Sequence, residues 1–421
     1  MPFSKPCGGC RAGKERNLLL VPFLILLLIV LVLGVLLCEW KRDAASVRSR
    51  DLIFLCAAGA ALTLFAALRG KSVGIDYQMY EEYFLSMREG GAGFLFSSEN
   101  QYRLEWGYSL LNYLVSLVSG DVRVFMAVAA VLIMGLTCVF IARYSPSWWL
   151  SVYVFLSFGF FNNSLCFIRQ SIAIAIFLFA VPFLKEKKLV PYLVVVVLAA
   201  SFHKALFIMV VLYFIAHIPV NWKSLTAYGV LTALVLIFSW PLFHFVTQFV
   251  YQYYATESGL YYMEGRDWQT AFVPVVYMLV IVGLRGFLLR RDPRNVVLVN
   301  FSIYAGLLYI MTCKHFLFQR FGMLFFTAAI LVIPEFLVSL DADREKLAEL
   351  ESVPAVRASK KSGQRKKESH ERREERMALR NRKYYYRYSV VALVCIGLLY
   401  YVWMLMQDRT ILLPYVTFFQ Q

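Results

Sequence analysis

Residues 18–37 read LLLVPFLILLLIVLVLGVLL, twenty positions without a charge. A helix rises 1.5 Å per residue, so this run reaches about 30 Å, the thickness of a bilayer's hydrocarbon. A helix also satisfies its backbone hydrogen bonds within the segment, which hydrocarbon demands. The run is longer than the apolar part of a secretory signal, and no small-x-small cleavage site follows it before Glu39 and Trp40, so it reads as a retained anchor.

Comparable apolar stretches recur at about 52–68, 122–141, 148–166, 168–184, 189–202, 205–218, 225–246, 271–289, 296–312, 321–338 and 389–406. The composition agrees: 60% of residues are hydrophobic, 17% are charged, and mean hydropathy is +0.61. Soluble chains carry roughly 45–50% apolar and about 25% charged residues. The expected fold class is an all-α polytopic membrane protein with about twelve transmembrane helices. A basic tail (1–17) would precede a transmembrane core (18–338). A basic cytoplasmic loop (341–388), the last transmembrane helix and a C-terminal tail (389–421) would follow.

The net charge of +16 does not point to nucleic acid, because the charge is localised. Residues 341–387 hold 15 Lys/Arg and 9 Asp/Glu, and basic loops beside apolar spans are both a topology signal and a contact for anionic lipids. Lys41–Arg50, Lys185–Lys188 and Arg290–Arg294 should share the cytoplasmic side with that loop. The 70–105 segment, with three Lys/Arg and six Asp/Glu, reads as external. These assignments agree only if Tyr108–Ser119, too short to span, is re-entrant or interfacial, and if 189–218 is a hairpin with its tip at His203-Lys204. Lys5, Arg11, Lys14 and Arg16 pull the other way at the N-terminus. Six cysteines lie in or beside apolar runs and read as small core residues. Cys7 and Cys10 form a lone CxxC, half a zinc site at best. No metal and no cofactor are expected.

Polar residues at membrane depth are costly, so each needs a reason. Four groups stand out, all on the expected external side. Asp76, in RGKSVGIDYQMYEEYF (Arg69–Phe84), suits a general base toward a sugar hydroxyl, or a helix N-cap. Glu105, in EWGYSLLNYL (Glu105–Leu114), could orient an acceptor over the platforms Trp106 and Tyr108, or open an aromatic belt. Arg169 and Gln170, near Asn162 and Asn163, suit a diphosphate, although Arg169 alone also reads as a snorkelling arginine. His203 with Lys204, and Lys314-His315 with Gln319-Arg320, could donate to phosphate or move protons. Walker and HExxH patterns are missing from the sequence.

The order of these motifs is informative. RGKSVGIDYQMYEEYF, EWGYSLLNYL, IRQSIAIAIFLFAVPFLKEKK (Ile168–Lys188), LAASFHKAL (Leu198–Leu206) and a late QRF (Gln319–Phe321) together resemble the EpsG-like family of polysaccharide polymerases, relatives of the Wzy-type O-antigen polymerases. The likeness runs from about Leu52 to Val338. The basic insert and the cysteine-bearing N-terminal tail fall outside it. The resemblance implies a GT-C-like membrane glycosyltransferase in the bacterial cytoplasmic membrane. It would join undecaprenyl-diphosphate-linked oligosaccharide repeat units into exopolysaccharide, capsule or O-antigen, with a flippase and a chain-length regulator as candidate partners. The matching positions are Asp76, Tyr80, Glu105, Gly107, Arg169, Gln170, His203 and Arg320. By residue chemistry, Asp76, Glu105 and His203 would act in catalysis. Arg69, Tyr80, Trp106, Tyr108, Arg169, Gln170 and Arg320 would hold substrate. A transporter, a non-catalytic export subunit, or another membrane transferase such as a ligase or an acyltransferase are the competing readings. Against a transporter, no repeat is visible and the polar groups gather at one interface.

Overall fold

The computed structural model describes residues 19–39, 47–96, 104–239, 241, 268–340 and 363–420. The CxxC pair, residues 242–267 and residues 341–362 of the basic insert lie outside these. Every element among the described residues is helical, apart from a single antiparallel bridge between Arg69 and Thr417.

Helix α1 (Val21–Gly34) continues as a short π-helix to Glu39, and α2 (Val47–Ala67) packs beside it. After a loop come α3 (Tyr77–Phe94), α4 (Trp106–Val118) and α5 (Val122–Tyr144). A broken series follows: α6 (Trp148–Ser157), α7 (Phe160–Cys166), α8 (Ile168–Phe177), α9 (Ala180–Lys185) and α10 (Leu189–Ala200). A 3-10 turn (Lys204–Ile208) leads into α11 (Met209–Ile215) and α12 (Trp222–Ile237). The C-terminal half comprises α13 (Gln269–Gly283), α14 (Arg285–Arg291), α15 (Val296–Thr312), α16 (Leu317–Phe326), α17 (Ala329–Leu340) and the long α18 (Gly363–Gln407).

Among the described residues six helices are long and apolar enough to cross a bilayer, or seven if α13 and α14, bent by 58°, count as one span. The other apolar runs resolve into shorter helices, so twelve full crossings do not follow from length and composition. The 148–166 run breaks at Gly159, whose φ of +80° is left-handed backbone open mainly to glycine. The 168–184 run breaks between α8 and α9. Both breaks sit in protein, where neighbouring groups can satisfy the freed backbone.

Large apolar side chains point outward on the peripheral helices, among them Leu28, Leu64, Val131 and Leu399. Helix α6 is enclosed by α1, α2, α17 and α18, and all but its first residue is buried. An apolar exterior around an aromatic interior is the pattern of a chain dissolved in lipid.

Two irregular places position the polar groups. Helix α4 has 13 residues, about 20 Å, and leaves Leu110, Leu114, Leu117 and Val118 exposed. The 189–218 segment does turn back as a hairpin: Tyr192 Oη donates to Met209 O at 2.5 Å, and Tyr213 Oη donates to Lys187 O at 2.6 Å. The basic segments meet at the far end of the bundle, where Lys185 lies 3.4 Å from Asp292 and Arg291 pairs with Glu335 at 2.8 Å.

Candidate active site

Four segments distant in sequence converge at the opposite end. The start of α4 is fixed to the hairpin tip, because Gly107 N donates to Ser201 O at 2.8 Å. Only glycine permits this approach, since a Cβ at position 107 would lie 2.9 Å from that same carbonyl oxygen. The lock brings Glu105, at the N-cap position of α4, against the tip. Its carboxylate accepts from Lys204 N at 3.1 Å and from Arg169 Nη1 at 2.6 Å, and His203 Nδ1 stands 3.5 Å away. Arg169 enters on the first turn of α8, so two helix N-termini open onto the same cluster. Such ends favour anions.

The cluster is under-satisfied. Arg169 Nε, both ring nitrogens of His203 and Tyr108 Oη are buried without an aligned hydrogen-bond partner. Native interiors rarely leave so many polar atoms unpaired, and a substrate is one way to complete them.

Asp76 ends the loop after α2 and occupies the N-cap position of α3, yet its side chain makes no cap hydrogen bond. The N-cap reading of Asp76 therefore has no bond behind it. Partial burial raises its pKa, with Arg320 and Arg169 acting in the opposite direction. Glu105 behaves differently. Burial opposes its charge, but the His203 ring, the Arg169 guanidinium and the Lys204 N–H hold its carboxyl well below the usual carboxylate range. The two carboxylates thus differ in kind: one is committed to partners and one is not.

Around them, the Tyr80 and Tyr108 rings lie 5.9 Å apart, and the Arg169 guanidinium sits 6.0 Å over Tyr108. Gln170 Nε2 donates to Arg320 O at 2.7 Å, which ties α8 to α16. Arg69, Trp106 and Asn162 point elsewhere. Arg69 is buried against Ala66 O and Met126 Sδ, at 2.8 and 3.4 Å. Trp106 is 65% exposed, and Asn162 accepts from Tyr401 on α18.

One participant has no signature in the sequence. After α18 the chain folds back as a strap across the Asp76 loop. Gly70 N donates to Val416 O at 2.8 Å, Gly74 N to Ile411 O at 2.8 Å and Ile75 N to Thr410 O at 3.0 Å. The strap is itself held by Asp408, which accepts from Leu412 N at 2.7 Å, and by Tyr415, whose hydroxyl donates to Phe65 O at 2.7 Å. Only the polar Asp408-Arg409 pair and Pro414 hint in the sequence that the chain turns after its last span.

These features define a multi-pass helical membrane protein with a buried acidic and guanidinium cluster at one end of its bundle. A sequence model of the EpsG family matches residues 52–350, well over half of the chain. The chain belongs to the EpsG family, membrane proteins of polysaccharide biosynthesis associated with polysaccharide polymerases. No curated protein and no solved structure matches it. The match includes Asp76, Glu105, Arg169, His203 and Arg320, and it excludes the strap.

Proposed function

We propose that the protein polymerises lipid-linked oligosaccharide repeat units at the external face of the bacterial cytoplasmic membrane, as a GT-C-like glycosyltransferase. The donor is a glycan on undecaprenyl diphosphate, already activated, so no nucleotide is required. Asp76 removes the proton from an acceptor hydroxyl, and that oxygen bonds to the donor's anomeric carbon. The bond from that carbon to the diphosphate oxygen breaks, and undecaprenyl diphosphate leaves with the bonding electrons. Arg169, Arg320 and His203 receive the developing anion, in a site where pre-placed charges act with little reorganisation. Glu105 holds Arg169, His203 and the Lys204 amide in register.

The observation that carries this reading is the contrast between carboxylates: Asp76 makes no cap bond, while Glu105 is engaged by Arg169 and the Lys204 amide. The broken helices beside the cluster suit a site entered from the bilayer edge.

The test is chromosomal Asp76→Asn in the producing strain, read as a gel ladder of lipid-linked glycan. The expected result is loss of polymer with single lipid-linked repeats retained, a decrease on the order of 10²–10⁴ in chain growth. A ladder of normal length would refute the assignment. Intact polymer that fails to reach its final acceptor would indicate a ligase instead.

A further inference from the structure

A cavity lies beside the Asp76 loop and is separate from the buried cluster. It is a groove of about 850 Å³ between the start of α3, the start of α5 and the C-terminal strap. That volume falls within the roughly 300–1,000 Å³ of small-molecule sites. Tyr77, the residue after Asp76, forms part of its wall, and Phe418 of the strap faces it from another side. Phe418 is held there by the Arg123 guanidinium, 5.1 Å from its ring centroid.

The charges of the groove are arranged unlike those of the cluster. Lys71 pairs with Glu81 at 2.6 Å and Arg123 with Asp121 at 2.5 Å. Three cations and two carboxylates line the walls in all, so little net field is left for a phosphate. What remains is an array of hydrogen-bonding groups beside the Phe418 ring, with the buried Tyr77 set into the wall. Arg88 is placed with room reserved for it, because its guanidinium occupies the space a Cβ at Gly120 would need. Aromatic faces for the apolar side of a pyranose, with planar donors and acceptors for its hydroxyls, are the chemistry a neutral saccharide requires.

We propose that this groove binds the glycan of the acceptor and leads it to Asp76, with the C-terminal strap as one wall. The inference rests on the polymerase reading for its substrate class. The groove's helical walls lie inside the region shared with the family, and Phe418, beyond residue 350, adds a wall from outside it. Repeat units of different composition would be distinguished here, away from the diphosphate cluster.

The test uses full-length protein in lipid nanodiscs. The probe is a set of oligosaccharides released by partial acid hydrolysis from the producing strain's own extracellular polysaccharide, with binding followed calorimetrically. Wild type should bind, while Phe418→Ala and Arg88→Gln bind about tenfold more weakly. Gly120→Ala, which displaces Arg88 without removing it, should weaken binding in the same direction. Thermal unfolding of each variant separates lost binding from lost fold. Unchanged affinity in folded Phe418→Ala and Arg88→Gln, or no binding by wild type, overturns the groove assignment. Because the readout is binding, it stands apart from the Asp76→Asn ladder: normal polymer in that strain sinks the assignment of Asp76 as base and leaves the groove result intact.

Discussion

The two ends of the bundle each hold an arginine paired with a glutamate, and the pairs do different things. At the basic end Arg291 meets Glu335 at 2.8 Å, Arg294 meets Asp292 at 3.0 Å, and Asn295 fills the remaining positions around Lys185 and Glu335. None of these side chains leaves a buried polar atom unsatisfied. At the other end Arg169 meets Glu105 at 2.6 Å, with side chains only 19% and 10% exposed. There Arg169 Nε, His203 Nε2 and Tyr108 Oη remain buried without a hydrogen-bond partner, and Asp76 makes no cap bond. A saturated network stabilises, whereas an open one costs stability and is retained where something else completes it.

The largest expected effect comes from breaking the open pair. Arg169→Ala should lower chain growth on the order of 10²–10³ through lost anion stabilisation. It should also destabilise the fold by about 3–5 kcal/mol, because Glu105 is left buried without its partner. Arg291→Ala, the same change at the closed end, should alter polymer yield by less than about twofold and stability by under about 1 kcal/mol. Polymer analysis with thermal unfolding of both variants checks the pair of outcomes, and equal losses would erase the distinction between the ends.

A smaller effect is expected from the strap. Deleting residues 409–421 removes the acceptors for Gly70, Gly74 and Ile75 and leaves α18 itself intact. The Asp76 loop should then exchange amide hydrogens faster, and chain growth should fall about tenfold, since loosened positioning of a catalytic group carries that order of cost. Unaltered exchange at residues 70–75 would show that the loop holds itself.

Much of this site was legible one residue at a time. Asp76, Glu105, Arg169 and His203 stood out because charged or polar groups in apolar surroundings need a reason. Their pairing was not legible: Glu105 and Arg169 are 64 positions apart, and no local pattern encodes that contact. Nor could residue chemistry alone divide the roles of the two carboxylates, which depend on which of them finds partners. The hairpin at 189–218 and the short α4 followed from charge balance along the chain. Six or seven helices among the described residues are long and apolar enough to cross, and an apolar run does not reveal where it breaks: Gly159 interrupts one, and nothing in Phe177-Leu-Phe-Ala180 marks the end of α8. Arg69 reads as a substrate contact in the sequence; its Nη atoms reach Ala66 O and Met126 Sδ, and its Nε is buried without a hydrogen-bond partner. The strap was hidden because its backbone bonds carry no side-chain signature.

The central claim is that Asp76 is the base and Glu105 the positioner. The most direct test is the pH dependence of chain growth by purified protein with lipid-linked repeats, for wild type, Glu105→Gln and Arg320→Gln. Asp76 must be ionised to act, so activity is lost as pH falls through its pKa. Burial raises that pKa, and the acid limb should lie above the ordinary aspartate value of about 3.9. Arg320 opposes the shift, so Arg320→Gln should move the limb to still higher pH. Glu105→Gln should keep an acid limb at reduced rate. An acid limb that disappears in Glu105→Gln and ignores Arg320→Gln would make Glu105 the base and contradict the account.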